Sequence, residues 1–214
     1  MIRDAHLNGR EVCQSDFQLS KYNFYEVMTN MLRVVGGIHR SRQLKEVPGE
    51  GTRPTTDKNK EAVFNILGQY FSGGMMLDLF AGSGALGIEA ISRGISHVDF
   101  IDNAPLAKKT IEQNLEALKL NDNAKVIRND VFEVLPTLKK KYDLIIADPP
   151  YALNRYQDLL DAIVYGQLVV DNGIIVFEAD AKASMPERSG RIIKYREKVF
   201  GNTKFAFYRM EESE

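Results

Sequence analysis

From Met75 onward, short apolar blocks alternate with stretches whose apolar residues recur at helical spacing. The blocks predict strands at 75–79, 97–102, 124–128, 142–147 and 173–179, and the intervening stretches predict helices at 85–93, 104–119, 131–139 and 156–166. Asp102 or Asn103 ahead of Pro105 makes a favourable helix start, because proline suits the first turn. This alternation is that of a parallel, doubly wound sheet with helices on both faces. The end of the chain differs. Arg191–Glu197 and Thr203–Met210 read as two strands joined across Gly201-Asn202, an antiparallel pair that would close the sheet.

Before Met75 the pattern is less regular. A helix is predicted from about Thr56 to Tyr70, with Val63, Ile66, Leu67 and Tyr70 on one face. Leu32–Val35 and Gln43–Val47 predict a small β-hairpin around Gly36-Gly37, and Pro48-Gly49-Glu50-Gly51 breaks the chain after it. Residues 1–30 follow no sustained period and read as an extension or leader, with Met31 resembling a natural start. The expected architecture is therefore α/β and Rossmann-like: a seven-stranded, mostly parallel sheet with a C-terminal antiparallel hairpin and a small N-terminal hairpin. Its expected parts are the extension 1–30, a basic hairpin appendage 31–52 and a main domain 53–214.

Composition narrows the function classes. The 214 residues carry a formal net charge of −1, so attraction to nucleic acid must come from a local patch. No apolar run approaches the roughly 20 residues that span a bilayer. No charged-then-apolar signal pattern opens the chain, which makes a cytoplasmic location the default expectation. Cys13 is the only cysteine, and His6, His39 and His97 are scattered, so neither a disulfide nor a metal site is expected.

Two motifs carry candidate chemistry. Leu77 to Gly87 reads as a strand followed by a G-x-G-x-x-G turn at Gly82, Gly84 and Gly87, where the backbone can turn tightly, approach a ligand and pack the next helix. Alone this turn is shared with nicotinamide and flavin enzymes. Downstream, Leu144-Ile145-Ile146-Ala147 reads as a buried strand that Pro149 and Pro150 must end, since two prolines cannot continue a ladder. There Asp148, exposed carbonyls and the Tyr151 ring come together, a setting for a planar group that bears an amine. Between these motifs, Asp102 ends one strand, where a carboxylate can accept bonds from two ribose hydroxyls. Asp130 ends the next, where it can accept the amine of a bound adenine. Each acid reads equally as a helix cap. Taken together, the motifs suggest a methyl transferase acting on the exocyclic amine of a base.

Gly82–Gly87, Asp102, Asp130 and Asp148–Tyr151, in that order, resemble the class I S-adenosylmethionine-dependent methyltransferases of the amino-methylating branch. Arg53-Pro54-Thr55-Thr56-Asp57, Phe64-Asn65-Ile66-Leu67, Leu77–Ala90 and the ending Arg196-Glu197-Lys198-Val199 with Gly201 and Tyr208 are similar to the bacterial 16S rRNA guanine-N2 methyltransferases of the RsmD type. The match runs over roughly residues 31–210.

The resemblance implies catalytic roles for Asp148, Pro149, Pro150 and Tyr151. It implies cofactor contacts at Asp78, Phe80, Gly82, Ser83, Gly84, Asp102, Asn103, Asp130 and Val131, with S-adenosylhomocysteine as product. RNA contacts are expected at Arg33, His39, Arg40, Arg42, Arg53 and Lys60, because residues 31–60 hold seven lysines and arginines against three acids. The family more often has arginine at the position of Lys60, and lysine loses the bidentate phosphate geometry. The implied partner is 16S rRNA, within a partly assembled small ribosomal subunit or free of it, with no membrane and no metal. Rival readings are an amino methyltransferase acting on adenine or on a protein glutamine, a non-catalytic RNA-binding subunit of the same fold, and a nicotinamide enzyme.

Overall fold

The computed structural model describes residues 32–49, 56–150 and 153–211. The predicted extension 1–30, Arg53 and Tyr151 lie outside the described residues. Helix α1 (Asp57–Leu67) starts at Thr56, whose hydroxyl accepts from the Asn59 amide. The alternating core follows with β1 (Met75–Leu79), α2 (Ala85–Ser92), β2 (His97–Asp102), α3 (Pro105–Leu118), β3 (Ala124–Arg128), the short α4 (Val131–Val134), β4 (Tyr142–Ala147), α5 (Tyr156–Tyr165) and β5 (Val169–Asp180). Three more strands complete it: β6 (Arg188–Ser189), β7 (Ile192–Phe200) and β8 (Thr203–Met210).

The sheet runs in the order β3-β2-β1-β4-β5-β8-β7-β6. Neighbours from β3 to β5 are parallel, and β8, β7 and β6 are antiparallel. It therefore has eight strands rather than the expected seven. The addition is β6, a two-residue edge piece that pairs with Ile192 and Ile193 and is too short to leave a periodic signal. Strand order reverses between β1 and β4, which opens a crevice at the carboxyl ends of those two strands.

Both faces of the sheet are covered. Met76, Ile146 and Val176 pack with α1, α2 and α3 on one side, while Leu77, Ile145 and Phe177 pack with α4 and α5 on the other. The predicted helix at 131–139 is shorter. Pro136 has no N–H for an α-helical bond, and the chain passes after Val134 into a 3₁₀ turn, Leu135–Thr137.

The expected N-terminal β-hairpin does not form. Among the described residues a single antiparallel bridge, Arg33 with Gln43, joins its two arms. The reason lies in where the backbone groups go. The Val35 amide donates to Glu89 Oε2 on α2, and the Lys45 amide donates to Asn114 Oδ1 on α3, each at 2.7 Å. The Ser92 hydroxyl donates to the Gly36 carbonyl and accepts from the His39 amide. With these groups taken by helices, the two arms lie along the domain as a strap, and Leu32, Val34 and Leu44 are buried in its core. Among the described residues no helix is long and apolar enough to cross a membrane.

Candidate active site

The crevice at the strand-order reversal holds a cavity of about 600 Å³. Its floor is the turn after β1. Phe80 has φ +59°, a left-handed conformation that costs a side-chain-bearing residue of order 1–3 kcal/mol, and such outliers cluster at functional sites. Gly82 follows at φ +54°. Gly87 has no room for a side chain: a Cβ there would sit 2.3 Å from the Phe100 ring and 2.9 Å from Asp78 Oδ2. The absence of that carbon lets its amide donate to Asp78 at 2.9 Å.

The carboxylates of this half are tied to main-chain amides. Asp102 accepts from Gly82 N at 2.9 Å through one oxygen and from Ala104 N at 2.8 Å through the other. Each oxygen keeps a lone pair for a further donor, since a carboxylate can accept about four bonds. Asp130 caps α4 by accepting from Phe132 N at 2.8 Å. Asp130 thus acts as a cap, whereas the N-cap of α3 is Ala104 rather than Asp102 or Asn103 and carries no side-chain cap bond; both acids line the cavity. Burial holds the Asp78 carboxyl well above the usual carboxylate range. The Gly87 bond opposes the shift, and the nearby Asp148 and Asp102 charges add to it.

Asp148 lies on the opposite wall, just beyond β4, and its amide donates to the Leu79 carbonyl at 3.3 Å. Among the described residues its carboxylate makes no hydrogen bond, and burial pushes it up to about 7. Pro149 and Pro150 line the cavity beside it, as do Phe80, Ser83 and Asn103. Gly84 and Val131 do not: Gly84 packs against Ile111 and Phe100, and Val131 belongs to the core.

The expected RNA-binding residues divide. Arg40 and Arg42 are exposed, beside an Ile38 that is 83% exposed. Arg33 is exposed but pairs with Asp57 at 2.7 Å. His39 is partly buried, and burial with the Arg42 charge lowers its pKa, so the ring is neutral at pH 7. Lys60 is corrected. It is fully buried, with its ammonium on the Arg33 carbonyl and 3.3 Å from Asp57 Oδ1, so it holds the strap to α1 and offers nothing to a phosphate.

Several residues were not legible as site residues. Glu46 and Val47 reach the cavity from the strap, Phe132 and Arg155 from the far side of Asp130, and Glu178 from β5. The Arg155 guanidinium lies 4.1 Å from the centre of the Phe132 ring. Asn114 is buried on α3 and donates to both the Lys45 and Ser83 carbonyls at 3.0 Å, joining the strap to the glycine turn. None of these sits in a recognisable motif, and Asn114 reads in the sequence as one more polar helix residue.

Among the described residues the lining carries six acidic side chains, Glu46, Asp78, Asp102, Asp130, Asp148 and Glu178, of which burial pushes Asp78 and Asp148 toward the neutral form, against one cation, Arg155. Such a cavity favours a cationic ligand and repels the pyrophosphate of a dinucleotide. The fold and this crevice define a Rossmann-like α/β protein with a ligand site at the switch point of its sheet.

The chain belongs to the family described as conserved hypothetical protein 95, whose model matches residues 32–209, and the RsmD-type resemblance holds. It is 43% identical to a Bacillus subtilis protein named "Putative rRNA methyltransferase YlbH", over 83% of this chain and 98% of that one. It is 29% identical to the Escherichia coli protein named ribosomal RNA small subunit methyltransferase D, over 86% and 92% of the two chains. A solved Escherichia coli structure titled "Putative methyltransferase yhhF" matches with a TM-score of 0.74 at 29% identity, covering 86% of this chain and 99% of that one.

Proposed function

We propose that this chain transfers a methyl group from S-adenosylmethionine to the exocyclic N2 amine of a guanine in small-subunit (16S) ribosomal RNA. The observation that carries the reading is the cavity itself. Six acids and a glycine turn line one crevice, and one of the six, Asp148, stands between β4 and two prolines with no hydrogen bond to its carboxylate among the described residues. The names of the relatives, which specify rRNA and its small subunit, agree with it.

The residues present fit a sulfonium cofactor. Asp102 retains acceptor capacity for ribose hydroxyls, and Asp130 beside Phe132 offers an acceptor and an aromatic surface to an adenine. The surrounding acids favour the positive sulfur. When bound, S-adenosylmethionine supplies a methyl carbon whose bond to sulfur breaks as the amine nitrogen's electron pair attacks, leaving S-adenosylhomocysteine. The amine is a poor nucleophile because its lone pair is delocalised into the ring. Asp148 and the Pro149 carbonyl accept its N–H bonds and favour a more tetrahedral nitrogen. Positive charge builds on that nitrogen in the transition state, so a nearby carboxylate stabilises the transition state more than the reactants. The proton released from the methylated amine has Asp148 as its nearest acceptor, and a carboxyl near neutrality takes and returns protons readily.

Tyr151 is proposed to stack on the base, and Arg40 and Arg42 to meet phosphates from the strap. A base in a helix hides its Watson–Crick edge, so the target nucleotide is flipped or already unpaired.

The test is methylation of small-subunit particles and naked rRNA from a strain lacking this protein, followed by nucleoside mass spectrometry. N2-methylguanosine at one position is the expected product. Methyl on adenine, or transfer only to protein, would overturn the reading.

A further inference from the structure

Glu178 is an acid that the transfer step does not use. It is 4% exposed, it lines the cavity, and it sits on β5 next to β4. The two strands run parallel with Ala147 opposite Phe177, and Asp148 and Glu178, the residues that follow, both line the cavity. They also share a face. Ile146 and Val176, two positions earlier on each strand, both belong to the core cluster under α2, and side chains two apart point the same way. Two acids from neighbouring segments thus line the cavity on the side away from the Asp102 and Asp130 loops.

The base that suits two adjacent acceptors is one with two adjacent donors. Guanine presents N1–H beside its N2 amine. Adenine presents an amine beside a bare N1 lone pair, which would face a carboxylate. We propose that Glu178 accepts the N1–H of the target guanine while Asp148 accepts from the amine, making Glu178 the residue that selects guanine. This rests on the guanine-N2 reading above. Discrimination of this kind works by setting a carboxylate lone pair against the N1 lone pair when the wrong base enters.

The probe is 2-aminopurine, which keeps the amine at C2 but has a lone pair at N1. Once the methylated position is mapped, 2-aminopurine replaces that guanine in a reconstituted particle. The parent should prefer guanine by about 10–100-fold in kcat/KM, the worth of one hydrogen bond to a charged group. In Glu178→Gln the amide can donate to a bare N1, so the preference should fall at least tenfold, with S-adenosylmethionine affinity by calorimetry within threefold of the parent. An unchanged ratio, an equal loss on both bases, or a collapse of cofactor affinity would each overturn the assignment. Should the variant not fold, the parent still decides: equal rates on guanine and 2-aminopurine overturn it. An adenine product would sink the guanine reading itself, whereas a guanine product with an unmoved ratio sinks Glu178 alone.

Discussion

The two walls of the crevice are built on opposite principles. On the glycine-turn wall every acid is tethered. Asp78 holds Gly87, Asp102 holds Gly82 and Ala104, and Asp130 holds Phe132. These bonds set the side chains before any ligand arrives, so little ordering cost remains at binding. On the facing wall the Asp148 carboxylate makes no hydrogen bond among the described residues, and burial pushes it up to about 7. A tethered carboxylate serves a ligand that must be held; an uncommitted one near neutrality serves a group whose protons must be managed. The contrast separates a wall suited to the cofactor from one suited to the acceptor.

The largest effect should come from the untied side. Asp148→Ala should lower single-turnover methyl transfer by about 10²–10³-fold, the range for losing a preorganised charge-stabilising group, while cofactor affinity stays within a few fold. Near-parental turnover would erase the difference between the walls. The same residue sets a pH dependence. Its carboxylate is the active form, so kcat/KM should fall tenfold per pH unit below about 7, and Asp148→Asn should lose that limb.

Stability should run the other way. A carboxyl raised from 3.8 to about 7 in the fold contributes stability below pH 3.8 that is lost as pH rises through 7. Asp148→Asn should therefore melt higher than the parent at pH 8, with the gap closing toward pH 4. A gap that stays constant across that range would show that the carboxyl is not shifted.

On the tethered side, Asp102→Ala should weaken S-adenosylmethionine binding by about 10–100-fold, from the loss of a charge-assisted bond worth about 1.5–3 kcal/mol. An unchanged dissociation constant by calorimetry would leave Asp102 with only its structural bonds to Gly82 and Ala104. Gly87→Ala should cost about 1–3 kcal/mol by overpacking against Phe100, read as a lower melting temperature. The smallest effect belongs to the strap. Replacing Arg40 and Arg42 with alanine should weaken particle binding and flatten its salt dependence by about 0.7–0.9 per lost phosphate contact, with cofactor affinity unmoved. Identical slopes would move the RNA face elsewhere.

Some of this was legible in the chain and some was not. Strands β1 to β4 fall where apolar blocks lie, and the start of α3 follows from Pro105, whereas α1, expected to reach Tyr70, stops at Leu67 because Gly68 takes the left-handed cap. The strap was misread for a physical reason. Leu32–Val35 and Gln43–Val47 have the residues of strands, and the Val34 and Leu44 amides do bond across the arms, but the Val35 and Lys45 amides found Glu89 and Asn114, 54 and 69 positions away. Lys60 was misread in the same way: its charge was visible, its burial was not.

By itself, the order of residues determined the alternating sheet, the glycine turn and the acids that end successive strands. These depend on local periodicity and on what proline and glycine permit. Only the tertiary structure decided that Glu178 and Asp148 line one cavity, that Asn114 ties the strap to the glycine turn, and that Asp78, Asp102 and Asp130 are tethered while the Asp148 carboxylate makes no hydrogen bond among the described residues. Those facts depend on strand neighbours and burial, which arise between segments far apart in the chain and leave no mark on either segment alone.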